Sequence, residues 1–276
     1  MEEKDIIDKL KKARLPLFSL KATGKNVKKV IIGVESKKEI IYIPEYLKIL
    51  TAAAAGLFFL TMATYYVVDN MDKGNNFNKN GGVWSTYSDE QEGGNSMVWP
   101  PPASVTGNDF IMSKPGFAGE KYAVRVTGVT GTKLGLNYNY FGVVNRFSSD
   151  SSCPKCIGVN IEKYNGIMFR IKGKITSGKL YFILPYEGSD CLPERLTCKS
   201  LTNYADYEKD ITEEVKADWT MVVIDFRKDL IQPYWTPNNA VVPIDKVLEN
   251  VHLFKWQFKN GDGQVVDFWI DNVRLF

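Results

Sequence analysis

The sequence predicts an all-β sandwich over residues 65–276, preceded by a helical apolar segment that serves for export or membrane anchoring. Three observations carry this reading. Turn signals recur after residue 65, among them Asn80-Gly81-Gly82, Glu92-Gly93-Gly94-Asn95, Lys114-Pro115-Gly116 and Asn260-Gly261-Asp262-Gly263. Short strand-like runs lie between them, at the close spacing of a sandwich or barrel. No helical stretch of βαβ type separates the runs, which argues against a parallel sheet.

The runs in chain order are Tyr65–Asp69, Tyr122–Val126, Leu134–Tyr140, Gly166–Ile171, Leu180–Leu184, Met221–Phe226, Leu253–Phe258 and Val265–Ile270. They are rich in Val, Ile, Tyr and Phe, which fit a pleated, half-buried surface. Asn260-Gly261-Asp262-Gly263 joins the last two and is expected to close a β-hairpin.

Residues 1–48 form a Lys-rich segment with twelve basic and seven acidic side chains, too short to bury a core alone. Residues 49–68, ILTAAAAGLFFLTMATYYVV, contain no charged side chain. Read as a membrane span, they form a signal anchor with the basic flank in the cytoplasm. Read as a signal peptide over 49–64, they present Thr61 and Ala63 at the −3 and −1 positions of a cleavage site. Both readings stay open, and both carry residues 65–276 out of the cytoplasm, to the periplasm, the cell surface or the medium.

Composition removes several function classes. The formal net charge is +3, and residues 49–276 hold 23 basic against 25 acidic side chains, so no basic stripe is available to neutralise phosphates and nucleic acid is not an expected partner. His252 is the only histidine, which rules out mechanisms that need a His pair. Acid pairs such as Asp89-Glu90 and Glu213-Glu214 fall in loops and form no constellation, so the domain is read as non-catalytic.

The chemistry that remains is recognition. A sugar presents apolar C–H faces and hydroxyl edges, so its site needs aromatic side chains beside amides or charges. Alternation puts Tyr138 and Tyr140 on one face of the run from Leu134. In 254–259 it puts Phe254, Trp256 and Phe258 together, as a core face, and turns Lys255, Gln257 and Lys259 the other way. Tyr138, Tyr140, Lys255 and Gln257 are therefore the candidate ligand-binding residues. Cys153-Pro154-Lys155-Cys156 and Cys191…Cys198 suggest a zinc set, but six residues between the second pair is the wrong spacing for a zinc knuckle. In an exported domain disulfides are the expected alternative, with three connectivities open.

Several phrases, taken in order, resemble the galactose-binding-like sandwiches of the carbohydrate-binding modules, nearest to family eleven, and the related complex I intermediate-associated protein domain. They are VDNMDKG at 68–74, GGVWSTY at 81–87, YNGIMFRIKG at 164–173, Asp218-Trp219, KWQF at 255–258 and DFWIDNV at 267–273. The resemblance implies a jelly-roll β-sandwich with one concave face and a structural calcium ion. It assigns Asp72 and Asp271 to that ion, with Asp69 as a third candidate. It also favours a Cys191–Cys198 disulfide, leaving Cys153–Cys156. Such modules commonly carry Gln where this chain has Lys255, so the ligand is not transferred. The expected function is carbohydrate binding, to a polysaccharide or an envelope glycan. The alternative is a protein-interaction module, with envelope proteins as partners. A concave groove bearing two or more exposed aromatics favours the sugar reading.

Overall fold

The computed structural model describes residues 65–102, 110–119, 121–135, 138–147, 158–192 and 197–276. The Lys-rich segment, the apolar 49–64 segment and Cys153–Cys156 lie outside the described residues. Among the described residues no helix is long and apolar enough to cross a membrane.

Among the described residues thirteen strands account for nearly all the regular structure: β1 (Tyr66–Asp69), β2 (Trp84–Ser88), β3 (Met97–Trp99), β4 (Val124–Val129), β5 (Tyr140–Arg146), β6 (Gly166–Lys174), β7 (Lys179–Leu184), β8 (Glu187–Leu192), β9 (Thr197–Ser200), β10 (Tyr207–Asp210), β11 (Thr220–Asp225), β12 (Leu253–Lys259) and β13 (Val265–Leu275). One short helix, α1 (Ile244–Leu248), precedes β12. Two antiparallel sheets form the sandwich. One has the order β11-β6-β13-β4-β3, with β1 also paired to β13; the other has the order β10-β7-β12-β5-β2. β8 and β9 make a separate ribbon.

Alternation decides which residues meet between the sheets. On β12, Phe254, Trp256 and Phe258 are fully buried, and on β13 so are Val266, Phe268 and Ile270. Trp256 packs against Trp84, Phe169 and Phe182 with ring centroids 5.3–5.5 Å apart. Phe141 and Phe258 extend this aromatic layer at 5.2 Å, and Phe147 and Phe254 at 5.1 Å. Each such ring contributes about 1.5–3 kcal/mol on leaving water, which makes the facing layer the main source of stability.

Two expectations need correction. Asn260–Gly263 does not close a hairpin: β12 pairs with β5 and β7, whereas β13 pairs with β1, β4 and β6. The turn carries the chain from one sheet to the other, so its flanking strands meet face to face through their apolar residues rather than side by side. The buried Asn139 amide donates to Gly261 O and Gly131 O at 2.9 Å, holding the crossover in place. The second correction concerns the run from Leu134, which enters the sheet only at Tyr140. Residues 132–135 form a turn in which Gly135 adopts φ +84°, and the strand continues to Arg146. Its interior, Phe141–Asn145, is buried throughout, so it carries no polar alternation to reveal it.

Candidate functional site

The outward face of the five-stranded sheet forms an open groove of about 470 Å³. Because β12 sits at the centre of that sheet, the residues alternating with its core aromatics become the groove floor. Lys255 and Gln257 lie there, beside Arg146 from β5, Tyr87 from β2 and Ile183 from β7. The register places Gln257 between Tyr181 and Gly142, with Tyr87 one strand further. Gly142 has no side chain to fill this row: a Cβ there would meet Trp256 O at 2.5 Å and Tyr87 Oη at 2.9 Å.

The floor is held by hydrogen bonds. The Tyr87 hydroxyl donates to Gln257 Oε1 at 2.8 Å, so the amide nitrogen is the end of Gln257 turned away from Tyr87. Lys259 Nζ donates to Glu208 Oε2 at 2.6 Å and lies 4.2 Å from the Tyr181 ring centroid. Lys255 Nζ is 3.9 Å from Asp206 Oδ2, whose partner oxygen accepts from Thr202 Oγ1 at 2.5 Å. Burial is the first cause that raises the Tyr87 and Tyr140 hydroxyls well above their ordinary range; at Tyr140 the Glu92 carboxylate adds to it. Both therefore remain hydroxyl donors at any physiological pH.

Glu187 differs from these. It is 6% exposed at the base of the groove, and Oε2 has no hydrogen-bond partner among the described residues. Burial pushes its carboxyl above the ordinary carboxylate range, against the pull of Lys255 and Arg146. Three aromatics stand around this polar floor in the open: Tyr138 at 73% exposure, Tyr204 at 74% and Trp235 at 52%.

All four residues read from the sequence as ligand-binding, Tyr138, Tyr140, Lys255 and Gln257, line this one groove. The sequence reading missed Glu187, Asp206, Tyr204 and Trp235. They come from loops and strand ends with no alternation of their own, and only the fold brings them beside β12.

The three acids expected at a calcium ion each accept hydrogen bonds in the structure. Asp69 accepts from Trp84 Nε1 at 2.7 Å and from Met71 N at 3.0 Å. Asp271 accepts from Phe117 N and Asn272 N, both at 2.7 Å. Asp72 is exposed and accepts from the Asn70 amide. Among the described residues no three acidic, His or Cys side chains are grouped to hold an ion. Cys191 and Cys198 are backbone partners across β8 and β9; their side chains lie outside the described ones.

No family model matches the chain, and no curated protein matches it. Solved structures do. The chain is similar to a family 11 carbohydrate-binding module of a cellulosomal cellulase of Clostridium thermocellum, at 17% identity over 77% of this chain and 94% of that one, with a TM-score of 0.44. The Clostridium thermocellum family 11 module in complex with a β-1,3-1,4-mixed-linked tetrasaccharide matches at 16% identity over 77% and 95%, with a TM-score of 0.46. A family 30 carbohydrate-binding module matches at 14% identity over 66% and 90%, with a TM-score of 0.42.

Proposed function

We propose that the domain binds a neutral polysaccharide chain along the groove, without cleaving it. The observation that carries this is the pairing of three exposed aromatics, Tyr138, Tyr204 and Trp235, with a floor of fixed polar groups. Exposed aromatics gathered around one groove mark a binding surface, and a sugar ring offers the matching C–H surface. The floor supplies both kinds of hydrogen-bonding group that hydroxyls need: donors from Lys255 and Gln257, and an acceptor in the Glu187 oxygen that has no partner among the described residues. An open groove suits an internal stretch of a long chain rather than a chain end. Lys255 and Lys259 engage Asp206 and Glu208, which supports binding over acid–base chemistry at those carboxylates. The charge-free 49–68 segment supports placement outside the cytoplasm.

The test is a glycan array followed by titration with a soluble glucan. Wild-type protein is expected to bind at least one neutral polysaccharide, and Tyr138→Ala to weaken that binding about tenfold, the equivalent of roughly 1.4 kcal/mol. Absence of binding to every glycan would overturn the reading and favour a protein partner for the groove.

A further inference from the structure

Five acidic side chains are buried among the described residues: Asp69, Asp89, Glu187, Asp206 and Asp271. Four of them accept hydrogen bonds from donors inside the fold. Asp69 takes Trp84 Nε1 and Met71 N, and Asp271 takes Phe117 N and Asn272 N. Asp89 takes Ser96 N at 2.8 Å and Ser96 Oγ at 2.6 Å, and Asp206 takes Thr202 Oγ1 at 2.5 Å. Glu187 is the exception, because its Oε2 is buried with no hydrogen-bond partner among the described residues. A carboxylate oxygen removed from water without a donor costs stability. This one lines the groove, where a ligand can supply the donor.

The backbone on either side of this carboxylate is pinned. Glu187 opens β8 opposite Ser200 of β9, which also lines the groove. The Glu187 carbonyl accepts from Asn250 Nδ2 at 3.4 Å, and the preceding Tyr186 N donates to Asp206 Oδ1 at 3.4 Å. Lys255, on the central strand of the sheet, lines the same part of the groove. Its Nζ is 3.9 Å from Asp206 Oδ2, an ion pair beyond hydrogen-bond reach, so the ammonium keeps N–H donors for a ligand. The base of the groove thus holds an acceptor that lacks a donor beside a donor that lacks an acceptor.

Charge decides what completes the pair. Lys255 and Arg146 already supply positive charge to Glu187, each favouring its ionised form, so a cation is not what it lacks. An anion would face the carboxylates of Glu187 and Asp206 at close range. The group that fits is neutral, donates to Glu187 and accepts from Lys255. An amide N–H only donates and an ether oxygen only accepts, whereas a hydroxyl does both. Resting on the reading of the groove as a polysaccharide site, we propose that Glu187 is its specificity-determining residue: it accepts from a free hydroxyl of a neutral sugar unit, Lys255 donates to that hydroxyl or the next, and the pair selects unsubstituted neutral polymers over O-substituted and acidic ones. A site built to bond a hydroxyl rejects the analogue without it, because the buried acceptor then stays unpaired beneath the ligand.

The experiment titrates the full-length protein with cellohexaose, laminarin and dextran, each beside its O-methylated form, and with polygalacturonate. Wild type is expected to bind at least one glucan about tenfold or more tightly than its methyl ether and than polygalacturonate. Glu187→Leu should weaken that glucan about tenfold and shrink its preference over the methyl ether by a similar factor. Glu187→Gln keeps an acceptor without the charge, so its affinity should fall between the two, and it should melt at or above wild type at pH 7. Tyr138→Ala should bind more weakly while keeping the preference, because it removes a ring and not the acceptor. Should Glu187→Leu fail to fold, Glu187→Gln takes its place, with an expected loss of about threefold. Wild type that binds no glucan would overturn the reading of the groove and this inference with it. Wild-type affinity and preference in Glu187→Leu, or a Glu187→Gln that melts below wild type, would overturn this inference alone, the second by making the carboxylate a support of the fold. Tighter binding of polygalacturonate or of the methyl ether by wild type would overturn it as well.

Discussion

Adjacent residues of β12 have opposite fates. Phe254, Trp256 and Phe258 are buried to 0% in an aromatic layer, whereas Lys255, Gln257 and Lys259, one residue along each time, form the polar floor of the groove. The same backbone hydrogen bonds hold both sets. The comparison teaches that stability and recognition are separable within this strand. The period of two hands each residue to one task, so a substitution should disturb one and spare the other.

The largest expected effect falls on the inner face. Trp256→Ala removes the ring that touches Trp84, Phe169 and Phe182 and should cost about 3–5 kcal/mol, measured by urea unfolding. A cost below about 1 kcal/mol would mean that the layer repacks freely and that the two faces are less distinct than described.

Next comes the outer end of the sandwich, where Asp271 accepts from Phe117 N and Asn272 N. Asp271→Ala leaves the buried Asn272 N–H and the part-buried Phe117 N–H without this acceptor and should cost about 1–3 kcal/mol. If hydrogen bonding is its role, the loss is the same with and without a calcium chelator. A loss that vanishes in chelator would instead make Asp271 the calcium ligand that the resemblance implies.

On the groove face the effect on stability is smaller. Gln257→Ala takes the acceptor from the Tyr87 hydroxyl, which keeps partial access to water, so the cost should be about 1 kcal/mol by the same unfolding assay. The smallest effect concerns Glu187. Its folded carboxyl is raised by burial, so the folded state binds the proton more tightly than the unfolded one. That contribution is full below the ordinary value of 4.5 and is lost as pH rises through the folded value. Glu187→Gln should therefore gain stability relative to wild type as pH rises from about 4 to about 8. A difference in melting temperature that is flat across this range would show that Glu187 ionises in the fold as it does in the unfolded chain.

Much of this was legible in the sequence where alternation is clean. β12 and the first half of β13 show a strict period of two, which places Trp256 inside and Lys255 and Gln257 outside before any coordinates. β5 was misplaced because its interior is buried on both sides, so neither face shows a polar signal. The Asn260–Gly263 turn looked like a hairpin because local chemistry fixes the turn but not which sheet each flanking strand joins. The groove was half legible for the same reason. Tyr140, Lys255 and Gln257 sit on strands, while Tyr204 and Trp235 lie in turns, where exposure is set by distant packing. Glu187 opens a ribbon of its own and reaches the floor only through tertiary structure.

The most direct test pairs two neighbours on β12. Trp256→Phe and Gln257→Ala are melted side by side and titrated with whichever soluble glucan the wild type binds. The account predicts a lower melting temperature with unchanged affinity for Trp256→Phe. For Gln257→Ala it predicts a melting temperature lowered by only about 2–4 °C, with affinity reduced about tenfold, since a lost hydrogen bond in a groove is worth about 1.4 kcal/mol. Equal losses of affinity in both variants, or none in Gln257→Ala, would contradict the assignment of this face to carbohydrate.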